Sequence, residues 1–128
     1  IDKELITDYS TPYVLWGIDG DWMVRCIEKG KKFYPTDHCG YIKVLDNSIN
    51  PLYLAKMIEI EGSKQRFSRS NRASTDRVSS LVVKLPSIEV QNKVAKEVEQ
   101  INKKISELES TLIEFNNKKK EIVNKYLN

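Results

Sequence analysis

The sequence predicts an α+β protein: a small β-rich head with one short helix, followed by a single long coiled-coil helix. Three observations carry this. Residues 13–46 hold short runs of β-branched and aromatic residues broken by turn signals. Residues 87–128 contain neither Gly nor Pro and repeat apolar residues every seven positions. Asn50-Pro51 opens a short amphipathic stretch between the two.

The chain has 128 residues, enough for one small domain with an appendage. Position 1 is Ile and not Met, and the chain reads as a piece of a longer protein. With 40% hydrophobic and 30% charged residues it has the composition of a soluble protein. No apolar run approaches a membrane span, and no signal-peptide pattern opens it. Cys26 and Cys39 are too few for a disulfide scaffold, which points to a reducing cytoplasmic setting.

Charge is unevenly placed. Residues 1–62 carry 7 Lys/Arg against 10 Asp/Glu; residues 63–86 carry 6 against 1; residues 87–128 carry 8 against 7. The net +3 therefore arises from one short basic segment, and a local patch matters more for phosphate than the global balance.

Along the chain, YVLWGI (13–18) and WMVRCIE (22–28) flank Asp19-Gly20 and predict a β-hairpin. Lys29-Gly30 is a second turn, and Lys32-Phe33-Tyr34 reads as a short third strand ending at Pro35. YIKVLD (41–46) alternates like a half-buried strand. Asn50 caps a helix of about three turns with Pro51 in its first turn. Its apolar stripe is Leu52, Leu54, Ala55, Met57 and Ile58, and Gly62 is its stop. Residues 63–76 read as a polar, basic loop, and VSSLVVKL (78–85) as a last strand ended by Pro86. Trp16 and Trp22 read as packing residues beside the hairpin turn.

The helix from Ser87 onward carries Val94, Ile101, Leu108, Phe115 and Ile122 at seven-residue intervals. Val98, Ile105, Leu112, Lys119 and Tyr126 lie four residues after each. This is a seam of five heptads interrupted at Lys119. Each exposed large apolar side chain leaves roughly 1.5–3 kcal/mol of burial unrealised, so the seam calls for a second helix. About 40 residues at 1.5 Å each span on the order of 60 Å, so the helix also serves as a spacer.

The junction VSSLVVKLPSIEVQNKV (78–94) resembles that of type I restriction–modification specificity subunits. There a strand runs into Leu-Pro and then into a helix opening with an apolar residue, Glu-Gln and a later Ile. In this chain Val90 stands between Glu89 and Gln91. The order of features over residues 13–128 agrees as well. The resemblance implies a recognition segment over 1–86 and a spacer helix over 87–128. It implies a non-catalytic subunit that reads one half of a split duplex DNA target. Such a subunit binds adenine methyltransferase subunits, which hold the S-adenosylmethionine, and in some assemblies a restriction subunit; it carries no cofactor of its own. The second recognition unit comes from the rest of a longer chain or from a second copy. A C-terminal module of a fused restriction–methyltransferase is an alternative, as is a coiled-coil dimerisation protein with no DNA role.

The candidate DNA contacts are Lys64, Gln65, Arg66, Ser68, Arg69, Ser70, Asn71, Arg72, Ser74, Thr75 and Arg77. Arg pairs with guanine edges, and Asn or Gln with adenine, while Ser, Thr and Lys suit phosphate oxygens. Phe67 reads as an anchor to the core. Lys31, Lys32 and Tyr34 form a weaker second patch. Other chemistries find less support. Asn50-Pro51-Leu52-Tyr53 lacks the second Pro of an amino-methyltransferase motif, and a helix start explains it. Cys26, Asp37, His38 and Cys39 match no zinc spacing. No Asp/Glu-x-Lys tripeptide and no phosphate-binding Gly loop is present.

Overall fold

A computed structural model describes residues 8–18, 20–33 and 38–127. Its sheet has three antiparallel strands in the order β2-β1-β3: β1 is Tyr13–Gly17, β2 is Val24–Ile27 and β3 is Cys39–Lys43. The hairpin expected around Asp19-Gly20 is present as β1 and β2, with Asp19 itself outside the described residues. β3 begins two residues earlier than the expected 41–46 and ends at Lys43. Lys32 and Phe33 belong to no strand; Tyr34 and Pro35 lie outside the described residues. The Phe33 ring meets those of Tyr9 and Tyr13 edge-on.

The two-residue period of β1 separates its faces. Val14 lies opposite Cys26 and Ile42, and Trp16 opposite Val24 and Gly40. These inward residues join Val44, Ala55, Ile58, Phe67, Ala73 and Val78 in one core. A Cβ on Gly40 would fall 2.2 Å from the Trp16 ring, so the bare backbone there is what admits the indole. On the other face Tyr13 is buried beneath Phe33 and Tyr41.

Helix α1 runs Pro51–Lys64. Asn50 has extended backbone and its side chain accepts from the N–H of Tyr53 at 3.0 Å, the arrangement expected of an N-cap. The buried residues are Tyr53, Ala55, Ile58 and Gly62, whereas Leu52 is exposed. Tyr53 takes the inward place because its hydroxyl finds the Lys84 carbonyl at 2.9 Å. Gly62 does not stop the helix. It lies inside α1 because the Trp22 ring passes where its side chain would be, 2.2 Å from an ideal Cβ. The Trp22 indole N–H donates to Glu59 O, one turn earlier.

The segment 63–76 is a loop only over its middle. Thr75–Ser79 form a short helix α2 capped by Ser74. The expected strand over 78–85 is absent: Val78 and Ser79 complete α2, and residues 80–87 are irregular. Local hydrogen bonds decide it. The backbone N–H groups are taken by local turns and not by a ladder: Val78 N–H bonds to Ser74 O at 3.0 Å, Ser80 N–H to Arg77 O at 3.2 Å and Leu81 N–H to Val78 O at 3.1 Å. The strand-like alternation survives in exposure alone, with Leu81 and Val83 half-buried and Val82 and Lys84 exposed.

Helix α3 spans Ile88–Leu127, 40 residues, with Ser87 receiving the N–H groups of Val90 and Gln91. The chain divides into two contact units after Asn92, so the first turn of α3 belongs with the head. No helix among the described residues is long and apolar enough to cross a membrane.

Candidate nucleic-acid interface

The basic segment begins where α1 ends. Arg66 N–H bonds to Ser63 O at 3.0 Å and Phe67 N–H to Gly62 O at 3.5 Å, the paired bonds of a Schellman cap. Arg66 occupies its left-handed position, with φ +58°. Phe67, next in line, is buried against Trp22 with ring centroids 5.0 Å apart, so it anchors the loop as its sequence suggests. Ser68 and Asn71 exchange backbone hydrogen bonds at 2.9 and 3.2 Å, closing a tight turn with Arg69 and Ser70 at its tip. Ala73 pins the far end: it is buried, its N–H meets Ile18 O, and its carbonyl accepts the Trp16 indole at 2.9 Å. The loop is thus fixed at Phe67 and Ala73, and what lies between them stands out from the core.

Within it the candidate residues divide by what holds them. Asn71 Nδ2 donates to Gln65 O at 3.0 Å and Arg66 O at 3.4 Å. Arg77 Nη1 donates to Asn71 Oδ1 at 2.6 Å and to Arg72 O at 2.9 Å. Both side chains brace the loop. Gln65 caps α1 through its backbone, and Lys64 pairs with Glu61 at 2.8 Å. Thr75 opens α2. Arg66 and Arg69 are exposed, and neither side chain has a hydrogen bond or ion pair among the described residues.

Beside the turn lies an open groove of about 570 Å³, lined by Ile18, Ser70, Arg72, Ser74, Thr75 and Arg77. Two guanidinium-bearing residues, three hydroxyls and no carboxylate line it, a set suited to phosphate oxygens. A neighbouring groove of about 620 Å³ shares Arg77 but includes Glu61 and Asp76, which disfavour an anion. The second basic patch is less developed: Lys31 pairs with Glu28 at 3.6 Å, Lys32 is exposed, and Tyr34 lies outside the described residues. Cys26 and Cys39 stand on β2 and β3, on either side of β1, and burial pushes the Cys39 thiol up.

In the second unit the seam side chains Ile101, Ile105, Leu108, Leu112, Phe115, Ile122 and Tyr126 are exposed; Val94 and Val98 near its start are half-buried. Lys118 and Lys125 lie over the rings of Phe115 and Tyr126. Ile113, Val123 and Leu127 are exposed off the seam, which the heptad pattern does not single out.

One residue had a visible place in the sequence but an unsuspected task. Gln91 is 1% exposed. Its amide donates to Ser48 O and Pro86 O at 3.0 and 2.8 Å, and its carbonyl accepts from Asn50 N–H at 2.9 Å. The only signal was its presence in the junction following Leu85-Pro86.

No family model matches the chain, and no solved structure matches it. Three proteins of Mycoplasma pneumoniae, provisionally named as type I specificity subunits, are similar to it. One is 29% identical over 108 residues, covering 83% of this chain and 30% of the relative. A second is 28% identical over 92 residues, covering 69% and 27%, and a third 27% identical over 90 residues, covering 69% and 37%. The chain thus spans about a third of the length of these curated relatives. The resemblance drawn from the Leu-Pro junction and the long helix holds against them: this chain is similar to a part of the type I specificity subunits.

Proposed function

We propose that this chain recognises duplex DNA sequence-specifically, as part of the specificity subunit of a type I restriction–modification complex. The observation that carries the reading is the carboxylate-free groove of Ser70, Arg72, Ser74, Thr75 and Arg77 beside the Ser68–Asn71 turn. In this reading the groove takes backbone phosphates and sets register, while Arg69 at the tip approaches base edges. The exposed seam of α3 pairs with another helix, from the rest of a longer chain or from a second copy, and α3 spaces two recognition units. Its partners are DNA and adenine methyltransferase subunits, which carry the S-adenosylmethionine, with a restriction subunit in some assemblies. The chain itself has a binding and positioning role in the cytoplasm and catalyses nothing. The names of the three relatives support it.

Selection from a randomised duplex library at low and moderate salt tests it, with Arg69→Ala and Arg72→Ala beside the wild type. Enrichment of a short motif is expected. Arg72→Ala should weaken binding to all sequences and reduce the salt slope by about one, whereas Arg69→Ala should relax preference at one position. Wild-type affinity in both variants defeats the residue assignment. No retention at any salt, from folded protein that still pairs through α3, would favour a coiled-coil interaction protein without a DNA role.

A further inference from the structure

We infer that Arg66 is a DNA-contacting side chain held in a backbone conformation suited to glycine; this rests on the DNA-binding reading above. Arg66 occupies the left-handed position of the cap that ends α1, at φ +58°, and is the one non-glycine residue with positive φ among those described. The cap's two hydrogen bonds, Arg66 N–H to Ser63 O and Phe67 N–H to Gly62 O, are both present, so the geometry belongs to the fold and is not an isolated kink. Glycine adopts this position without steric cost, and Asn is the usual second choice; a long branched-head side chain gains nothing from it.

The surroundings do not supply a structural reason for arginine. The side chain is exposed, lines neither groove beside the loop, and makes no hydrogen bond or ion pair among the described residues. The backbone around it is nevertheless braced, since Asn71 Nδ2 reaches both the Gln65 and Arg66 carbonyls. A strained position held firmly, with its side chain left unengaged, is the signature of a contact made outside the folded chain. The guanidinium then meets a phosphate or a guanine edge, since both accept its planar donors.

Arg66→Gly separates fold from contact. The variant should unfold at a temperature a few degrees above wild type, because the cap is relieved. It should bind a short mixed-sequence duplex at low salt about tenfold more weakly. A uniform loss with a shallower salt slope identifies a phosphate contact; a loss of preference at one position identifies a base contact. Either supports the inference. Undiminished binding by Arg66→Gly, with wild type binding normally, overturns it and leaves the wider reading standing. A lowered unfolding temperature also overturns it, since the arginine would then be serving the fold. Failure of the wild type itself to bind overturns both, before any variant is compared.

Discussion

The side-chain carbonyl of Gln91 accepts the backbone N–H of Asn50 at 2.9 Å, a bond between residues 41 apart in sequence. Asn50 is itself the cap of α1, and its amide donates to Asn92 Oδ1 at 2.7 Å. With the Ser48 and Pro86 carbonyls on its other end, Gln91 ties four pieces of chain together: the turn before α1, the cap, the junction and the first turn of α3. Gln91→Leu would strand one N–H and two carbonyls in a buried place. We expect a loss of about 2–4 kcal/mol in urea unfolding. A loss under about 1 kcal/mol would show that water substitutes for the clamp.

Gly62 and Trp22 make a second close relationship with an opposite sign to the usual helix rule. In an open helix interior Gly→Ala stabilises by about 1 kcal/mol. Here the new methyl meets the indole at 2.2 Å, so Gly62→Ala should destabilise by roughly 1–3 kcal/mol. Thermal unfolding followed by circular dichroism decides it, and a stabilised variant would mean the indole moves aside freely.

Asp8 and Lys43 give the head a pH dependence. Their ion pair is 2.6 Å long, and Ser10 donates to the other carboxylate oxygen. The Lys43 hydrogen bond, then those of Ser10, hold the Asp8 carboxyl well below the usual carboxylate range, and the same bond raises the Lys43 ammonium. A depressed folded value stabilises above the ordinary aspartate value of 3.8 and is lost as pH falls below it. Both side chains remain well exposed, so solvent screens the pair and the effect is small. Asp8→Asn should narrow the gap between urea midpoints at neutral pH and near pH 3. An unchanged gap would assign the acid sensitivity elsewhere.

Leu108 lies in the middle of the exposed α3 seam. If α3 pairs through this stripe, Leu108→Asp places a charge in the paired interface and should weaken association at least about a hundredfold. Sedimentation across a concentration series checks this. Equal association of variant and wild type would remove the seam from the pairing surface.

The parts legible in the sequence were those set by period and local chemistry. The β-branched and aromatic run at 13–18 beside Asp19-Gly20 announced β1, Asn50-Pro51 announced the start of α1, and the heptads from Val94 announced α3. What stayed hidden depended on distant partners. Gly62 looked like a helix stop because its reason for being glycine is Trp22, 40 positions earlier. VSSLVVKL looked like a strand because strand propensity is local, whereas the backbone turn bonds from Val78 to Leu81 and the Tyr53 hydroxyl on Lys84 O settle the outcome otherwise. At the loop, the basic residues were evident as a group. That Asn71 and Arg77 serve each other, while Arg66 carries the left-handed turn, follows only from geometry.

The two tryptophans have an optical consequence. Trp16 and Trp22 are the only ones in the chain, and both lie in the head, each with its indole N–H on a backbone carbonyl. α3 has none, yet it supplies most of the helical residues. Intrinsic fluorescence therefore reports the melting of the head, and far-ultraviolet dichroism chiefly that of α3. One unlabelled sample read at two wavelengths can follow the two units separately, and any ligand that shifts only one signal reveals which unit it binds.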